Sequence, residues 1–195
     1  MSARLDPTVS NDLFSACPAD VRERIARVRL ACFDVDGTLT DGRLFFDDEG
    51  RELKAFHVAD GQGLVLLRKA GLQLAFVTAR SGRIAGQRAA ELGIAAHIGI
   101  ADKLACVRAI AAEHGIAMDE VAFMGDDLPD LRVMRHVGVA VAPANAHPWL
   151  HGHVHWQTRA RGGEGAVREF CDLLLTVQGH AERMLAALLA PEPAP

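Results

Sequence analysis

The chain of 195 residues carries 21 Lys and Arg against 25 Asp and Glu, a net charge of −4, and half of its residues are hydrophobic. That balance describes a globular chain of single-domain size and excludes a disordered chain or a basic nucleic-acid-binding stripe. No apolar run approaches the roughly 18 residues a membrane helix needs, and none of the cysteines (Cys17, Cys32, Cys106, Cys171) forms a Cys-x-x-Cys pair.

Residues 1–17 are polar, lack the apolar stretch of a signal peptide and read as a loose leader, so a cytoplasmic location is expected. Pro18–Val28 has helical spacing with Pro18 at its first turn. Leu30–Val35 is a short apolar strand ending in carboxylates. Arg43–Phe46 and Leu53–Phe56 flank the turn-rich Asp47–Gly50 and predict a β-hairpin. A helix over about 61–70 is stopped by Gly71.

Beyond that point strands and helices alternate. Strands are expected at Leu72–Val77, His97–Gly99, Val121–Met124 and Val137–Val141, with another at Val154–Trp156. Helices are expected from Ser81 to Leu92, Lys103 to His114 and Leu128 to Arg135, with a helical tail from Gly165 and a frayed, proline-rich end over 181–195. This alternation predicts an α/β fold with a mostly parallel sheet: one domain over 18–180, its hairpin at about 43–56.

Ligands of open α/β sheets bind outside the carboxyl ends of the strands. The predicted strand ends carry Asp34-Val-Asp36-Gly-Thr-Leu-Thr, Thr78-Ala-Arg80, Lys103 and Gly125-Asp126-Asp127. Clustered carboxylates repel one another, and a hard cation such as Mg²⁺ relieves that repulsion while taking a phosphate oxygen. One carboxylate can attack phosphorus, and a second acid can protonate the leaving oxygen and then activate water. The Thr78 hydroxyl and the Lys103 ammonium suit the phosphoryl oxygens.

DVDGT, the Val77-Thr78 dipeptide, Lys103 and GDD, in that order, resemble the four motifs of the haloacid dehalogenase (HAD) superfamily. The resemblance implies a Rossmann-like three-layer sandwich, Asp34 as nucleophile and Asp36 as general acid and base. It further implies Mg²⁺ ligation by Asp34, the Asp36 backbone carbonyl and Asp126, with Asp127 at or just behind the metal and Asp130 orienting the loop. DVDGTLTDG, FHVADGQG, VTAR, GDDLPD, VAPANAHP and GGEGAVREFCDLLL are similar to the 3-deoxy-D-manno-octulosonate 8-phosphate phosphatase family over residues 18–178. This second resemblance implies hydrolysis of an eight-carbon acidic sugar phosphate on the route to lipopolysaccharide, no large cap domain, and a homotetramer whose hairpins pack between subunits. It implies substrate contacts at His57, Val58, Ala59, Asp60, Gly61, Arg80, Arg88 and Lys103. The sequence departs from the family pattern at His57, Val65 and Pro129.

The spacing of the chain supports a capless fold independently. Only the hairpin and one helix separate Asp36 from Thr78, and Leu44, Phe45, Phe46 and Phe56 need a surface to cover them. A second copy of the chain is the expected partner. Two readings compete with the first: a phosphatase for a nine-carbon sugar acid phosphate or another small ester, and a non-catalytic HAD-like assembly module. His151, His153 and His155 are expected on a solvated strand edge in preference to a metal site. Gly162–Gly165 is expected to form an active-site tail anchored by Arg168.

Overall fold

The computed structural model describes residues 8–190. Two helices open the described chain, α1 (Thr8–Ala16) and α2 (Ala19–Ile25), followed by strand β1 (Leu30–Phe33). The hairpin strands β2 (Phe45–Phe46) and β3 (Glu52–Leu53) lead into α3 (Val58–Lys69). Then come β4 (Gln73–Thr78), α4 (Arg83–Leu92), β5 (Ala95–Ile98), α5 (Lys103–Glu113), β6 (Val121–Met124), α6 (Leu128–Met134) and β7 (Val139–Ala142). The chain closes with β8 (Trp156–Gln157), α7 (Ala166–Val177) and α8 (His180–Leu189).

Six strands form one parallel sheet in the order β5-β4-β1-β6-β7-β8, and β2-β3 is a separate two-stranded ribbon. The central strands are apolar on both faces because helices cover both. Alternation along β1 sends Ala31 and Phe33 to one face, against α2, α3, α4 and α7, and Leu30 and Cys32 to the other, against α5 and α6. Phe33 and Phe170 meet with ring centroids 6.3 Å apart in the first of these layers.

β1 sits between β4 and β6, so the chain leaves it first to one side and later returns to the other. That reversal of strand order opens the crevice in which such sheets bind ligands. Register sharpens the point. Phe33 lies opposite Phe76 on one side and Met124 on the other, which brings Val35, Thr78 and Asp126 level at adjoining strand ends.

Some expectations shift. Residues 8–16 are helical and Cys17 is buried, so that part of the leader is ordered structure; residues 1–7 lie outside the described residues. Apolar side chains that meet a core fold a segment whose local composition looks like a linker. The tail is helical to Leu189, and residues 191–195 lie outside the description. β5 begins two residues before the expected strand. His151 and His153 lie in a turn, exposed, and His155 precedes β8 and accepts a hydrogen bond from the Ala140 amide through Nδ1 at 2.9 Å. A turn has no alternating face, so the three imidazoles form neither a strand edge nor a metal site among the described residues. Pro129 fits the first turn of α6, where no N–H is needed.

Candidate active site

Asp34 follows β1 directly, its amide donating to Met124 O at 2.9 Å. Its carboxylate is almost fully buried and accepts from Lys103 Nζ at 2.8 Å through Oδ1. Lys103 is the first residue of α5, whose N-cap Asp102 accepts from Ala105 N at 3.0 Å. The same ammonium lies 2.5 Å from Asp130 Oδ1. Asp130 Oδ2 accepts from the amides of Asp126, at 3.1 Å, and Asp127, at 3.4 Å, so both of its oxygens are engaged. Asp130 therefore holds both the lysine and the loop after β6. Asp127 is exposed and caps α6, accepting from Leu128 N at 2.7 Å, and its charge adds to the influences that raise the Asp126 carboxyl.

Carboxylate oxygens of Asp34, Asp126 and Asp130 all lie within 4.8 Å of one another. Burial, then the charge of Asp130, pushes the Asp34 and Asp126 carboxyls up to about 7. Burial works against the Lys103 charge, but Asp130 and Asp34 outweigh it and keep the ammonium protonated. Buried acids forced together in this way suit a small divalent cation with oxygen ligands. With both Asp130 oxygens committed, Asp34 and Asp126 are the carboxylates free to hold one. Asp126 is steadied by Thr38, whose hydroxyl donates to Oδ1 at 3.2 Å.

The loop from Asp34 to Asp41 must be tight to bring these groups together. Gly37 has φ of +86°, and a Cβ there would collide with the Asp126 carboxylate. Gly162 and Gly163 press on the same loop: a Cβ on either would strike backbone of Gly37, Thr40 or Asp41. Gly163 N donates to Thr38 O at 3.1 Å and Gly162 N to Asn145 Oδ1 at 2.8 Å. The glycine tract is thus a backbone clamp on the loop.

Thr78 is buried at the end of β4, its hydroxyl oxygen accepting from Arg80 N at 3.2 Å. Arg80 Nη2 meets Glu52 Oε1 at 3.0 Å, and its Nε lies 4.0 Å from Asp36 Oδ2. Lys54, just beyond β3, pairs with Asp36 Oδ1 and with Glu52 Oε1, the latter at 3.0 Å. Neither Glu52 nor Lys54 was expected at the site. The available signal is their i, i+2 spacing about exposed Leu53: alternate residues share a face, and here the charged face turns inward.

Arg88, Gly61 and Phe56 form a neighbouring cluster. A Cβ on Gly61 would collide with the Arg88 guanidinium, which lies 5.8 Å from the Phe56 ring centroid and pairs with Glu91 at 2.8 Å. His57 and Val58 are exposed where α3 begins, with Ala59 half-buried beside them. Asp60, expected among the substrate contacts, is buried and faces α7: Oδ1 accepts from Arg168 N at 2.7 Å. A carboxylate there complements the helix N-terminus, so the geometry gives Asp60 a structural task. The Arg168 guanidinium pairs with Asp172 at 2.8 Å, so Arg168 anchors this junction through its backbone.

A parallel sheet of this order, with buried acids and a lysine at its central strand ends, has the architecture of a haloacid dehalogenase-like hydrolase, and the sequence pattern of that family matches residues 98–170. The 3-deoxy-D-manno-octulosonate 8-phosphate phosphatase KdsC of Yersinia pestis is 43% identical over 84% of this chain and 88% of its own. The chain belongs to the 3-deoxy-D-manno-octulosonate 8-phosphate phosphatase family of these hydrolases. The crystal structure of the Moraxella catarrhalis phosphatase, in complex with magnesium ion, phosphate ion and a KDO molecule, is similar with a TM-score of 0.84 and 36% identity, covering 87% of this chain and 98% of that one. A hypothetical protein from Xanthomonas campestris is 54% identical with a TM-score of 0.89, covering 91% and 98% of the two chains.

Proposed function

We propose that this enzyme is a magnesium-dependent phosphatase that hydrolyses 3-deoxy-D-manno-octulosonate 8-phosphate to the free sugar acid and phosphate, supplying a lipopolysaccharide precursor. The observation that carries the chemistry is the Lys103 ammonium, 2.8 Å from Asp34 Oδ1 inside a buried acid cluster. The eight-carbon substrate is supported by the names of the Yersinia and Moraxella relatives and by the sugar acid bound in the latter.

Asp34 and Asp126, with the Asp36 backbone carbonyl, would hold the cation. When bound, magnesium neutralises the acids and draws charge from a phosphoryl oxygen. An Asp34 oxygen attacks phosphorus and forms an aspartyl phosphate. Lys103 and the Thr78 hydroxyl hold the remaining phosphoryl oxygens as their charge grows. Asp36 gives its proton to the leaving sugar oxygen and then takes one from the water that cleaves the intermediate. Arg80 and Arg88 offer guanidinium forks to the substrate's carboxylate or phosphate.

The working form is a cytoplasmic homotetramer in this reading. Leu44, Phe45, Phe46 and Leu53 are 47, 46, 60 and 58% exposed on a ribbon too small to cover them itself. Among the described residues no helix is long and apolar enough to cross a membrane.

The test is a phosphate-release screen over sugar phosphates, including the eight- and nine-carbon acids, with and without Mg²⁺. The expected result is preference for the eight-carbon acid, silence under chelation, and loss of turnover in folded Asp34→Asn. Preference for the nine-carbon acid, a nucleotide or a phosphoprotein would overturn the substrate, and a fully active Asp34→Asn would overturn the mechanism.

A further inference from the structure

Among the described residues, Lys54 is the cation that the hairpin delivers to the site. Its side chain is only 3% exposed, although a lysine stem of this length normally reaches water. A buried ammonium is tolerated when carboxylates surround it, and Lys54 has two: Asp36 Oδ1 and Glu52 Oε1. Glu52 is in turn held by Arg80 Nη2 at 3.0 Å. The four side chains alternate in sign, Arg80, Glu52, Lys54, Asp36, and run from the end of β4 across the hairpin to the nucleophile loop.

The two oxygens of Asp36 are unequal. Oδ1 is taken by Lys54, whereas Oδ2 is buried and has no hydrogen-bond partner. Its nearest cation is Arg80 Nε, at 4.0 Å, beyond hydrogen-bond reach. An acid that must meet a leaving oxygen needs one oxygen fixed and the other without a protein partner, since proton transfer requires a contact of about 2.6–3.2 Å. Nothing else on the loop fixes the Asp36 side chain among the described hydrogen bonds.

We propose that Lys54 is a positioning residue for the acid–base step: it pins Asp36 through Oδ1 and leaves Oδ2 to exchange the proton with the leaving oxygen and with water. Glu52 and Arg80 hold Lys54 in place. The inference rests on the phosphatase reading, with Asp36 as acid and base. No bond to Lys54 forms or breaks. The proton passes between Asp36 Oδ2 and the substrate oxygen, and later from water to Oδ2.

The experiment uses the full chain with Mg²⁺ and compares wild type, Lys54→Met and Glu52→Gln on two esters. The eight-carbon sugar phosphate has a leaving alkoxide that needs a proton, whereas 4-nitrophenyl phosphate has a leaving group that does not. In Lys54→Met, kcat for the sugar phosphate is expected to fall roughly 10- to 100-fold with KM within about twofold. With the nitrophenyl ester the pre-steady-state burst of nitrophenolate persists and the slow phase after it drops, because cleavage of the intermediate still needs Asp36. Glu52→Gln keeps Lys54 and shows the same pattern with a loss of roughly 3- to 10-fold, which secures the test should Lys54→Met fail to fold.

Unchanged kcat on both esters in either folded variant overturns the proposal. So does a raised KM with burst and slow phase falling together, which would make Lys54 a substrate contact. Wild-type enzyme that releases phosphate from neither ester overturns the phosphatase reading, and the assignment to Lys54 with it. Active wild type, inactive Asp34→Asn and unaffected Lys54→Met overturn the assignment alone.

Discussion

Gly37 lies against Asp126 so closely that a Cβ on it would stand where the carboxylate is. The same residue has φ of +86°, a backbone region that costs an L-residue roughly 1–2 kcal/mol. Gly37→Ala should therefore remove activity by displacing Asp126 and destabilise the fold by at least about that amount. Turnover by phosphate release and thermal unfolding measured together check this; an alanine variant with more than half of wild-type kcat would contradict the crowding.

Asp130 joins Lys103 to the loop after β6 through both of its oxygens. Asp130→Asn leaves the ammonium paired with Asp34 alone among the described carboxylates and removes the charge that helps raise the Asp34 carboxyl. Breaking a buried pair from one side costs about 3–5 kcal/mol, of which the amide's remaining hydrogen bonds recover a part. The expected outcome is a clear fall in denaturation midpoint with kcat lowered roughly 10-fold or more. An unchanged midpoint would show that the pair carries no stability.

Acidity and metal binding should be coupled in the folding equilibrium. Asp34 and Asp126 are raised from an ordinary value of 3.8 to about 7, chiefly by burial. The folded metal-free protein thus binds more protons than the unfolded chain between these values, and its stability falls as pH rises through that window. Magnesium favours the ionised acids and opposes the loss. Thermal unfolding in chelator and in Mg²⁺ should give midpoints that draw apart from about pH 5 to about pH 8. Midpoints that stay parallel across that range would contradict the assignment of these acids to the metal.

The hairpin supplies a test of assembly. Phe45 and Phe46 are 46 and 60% exposed in the single chain. If the chain assembles as proposed, Phe45→Ser with Phe46→Ser should shift the solution mass from the proposed tetramer towards monomer, read by light scattering, without lowering the unfolding midpoint of the isolated chain. A tetramer of undiminished stability would place the subunit contacts elsewhere.

Most of the frame was legible because its signals are local. Apolar runs opened by Pro18 or closed by Gly71 mark strands and helices in order, and the residues at the strand ends follow from parallel topology. Asp34, Lys103 and Asp126 could be grouped in this way, whereas Asp130 came from the family resemblance. Lys54 and Glu52 could not, because a hairpin's orientation over a site depends on tertiary packing that pattern does not encode. The bond between Asp60 and α7 was hidden for a related reason. The position of Asp60 beside the site is local, but the N-terminus of α7 that claims its carboxylate lies more than a hundred residues further along. The helix over residues 8–16 escaped notice because its partner, α7, is at the other end of the chain.

The clamp of Gly162 and Gly163 on the loop around Gly37 has a consequence for how the enzyme comes into being. On the ribosome, the sheet through β7 can emerge and pair before the glycine tract has been made. The nucleophile loop then waits for a segment made after the sheet strands through β7 to lock it. A nascent or prematurely terminated chain ending before Gly162 would carry every acid of the site and the lysine, yet lack the backbone that holds them in register. Competence to turn over substrate therefore follows the assembly of the sheet through β7 and waits for the glycine tract.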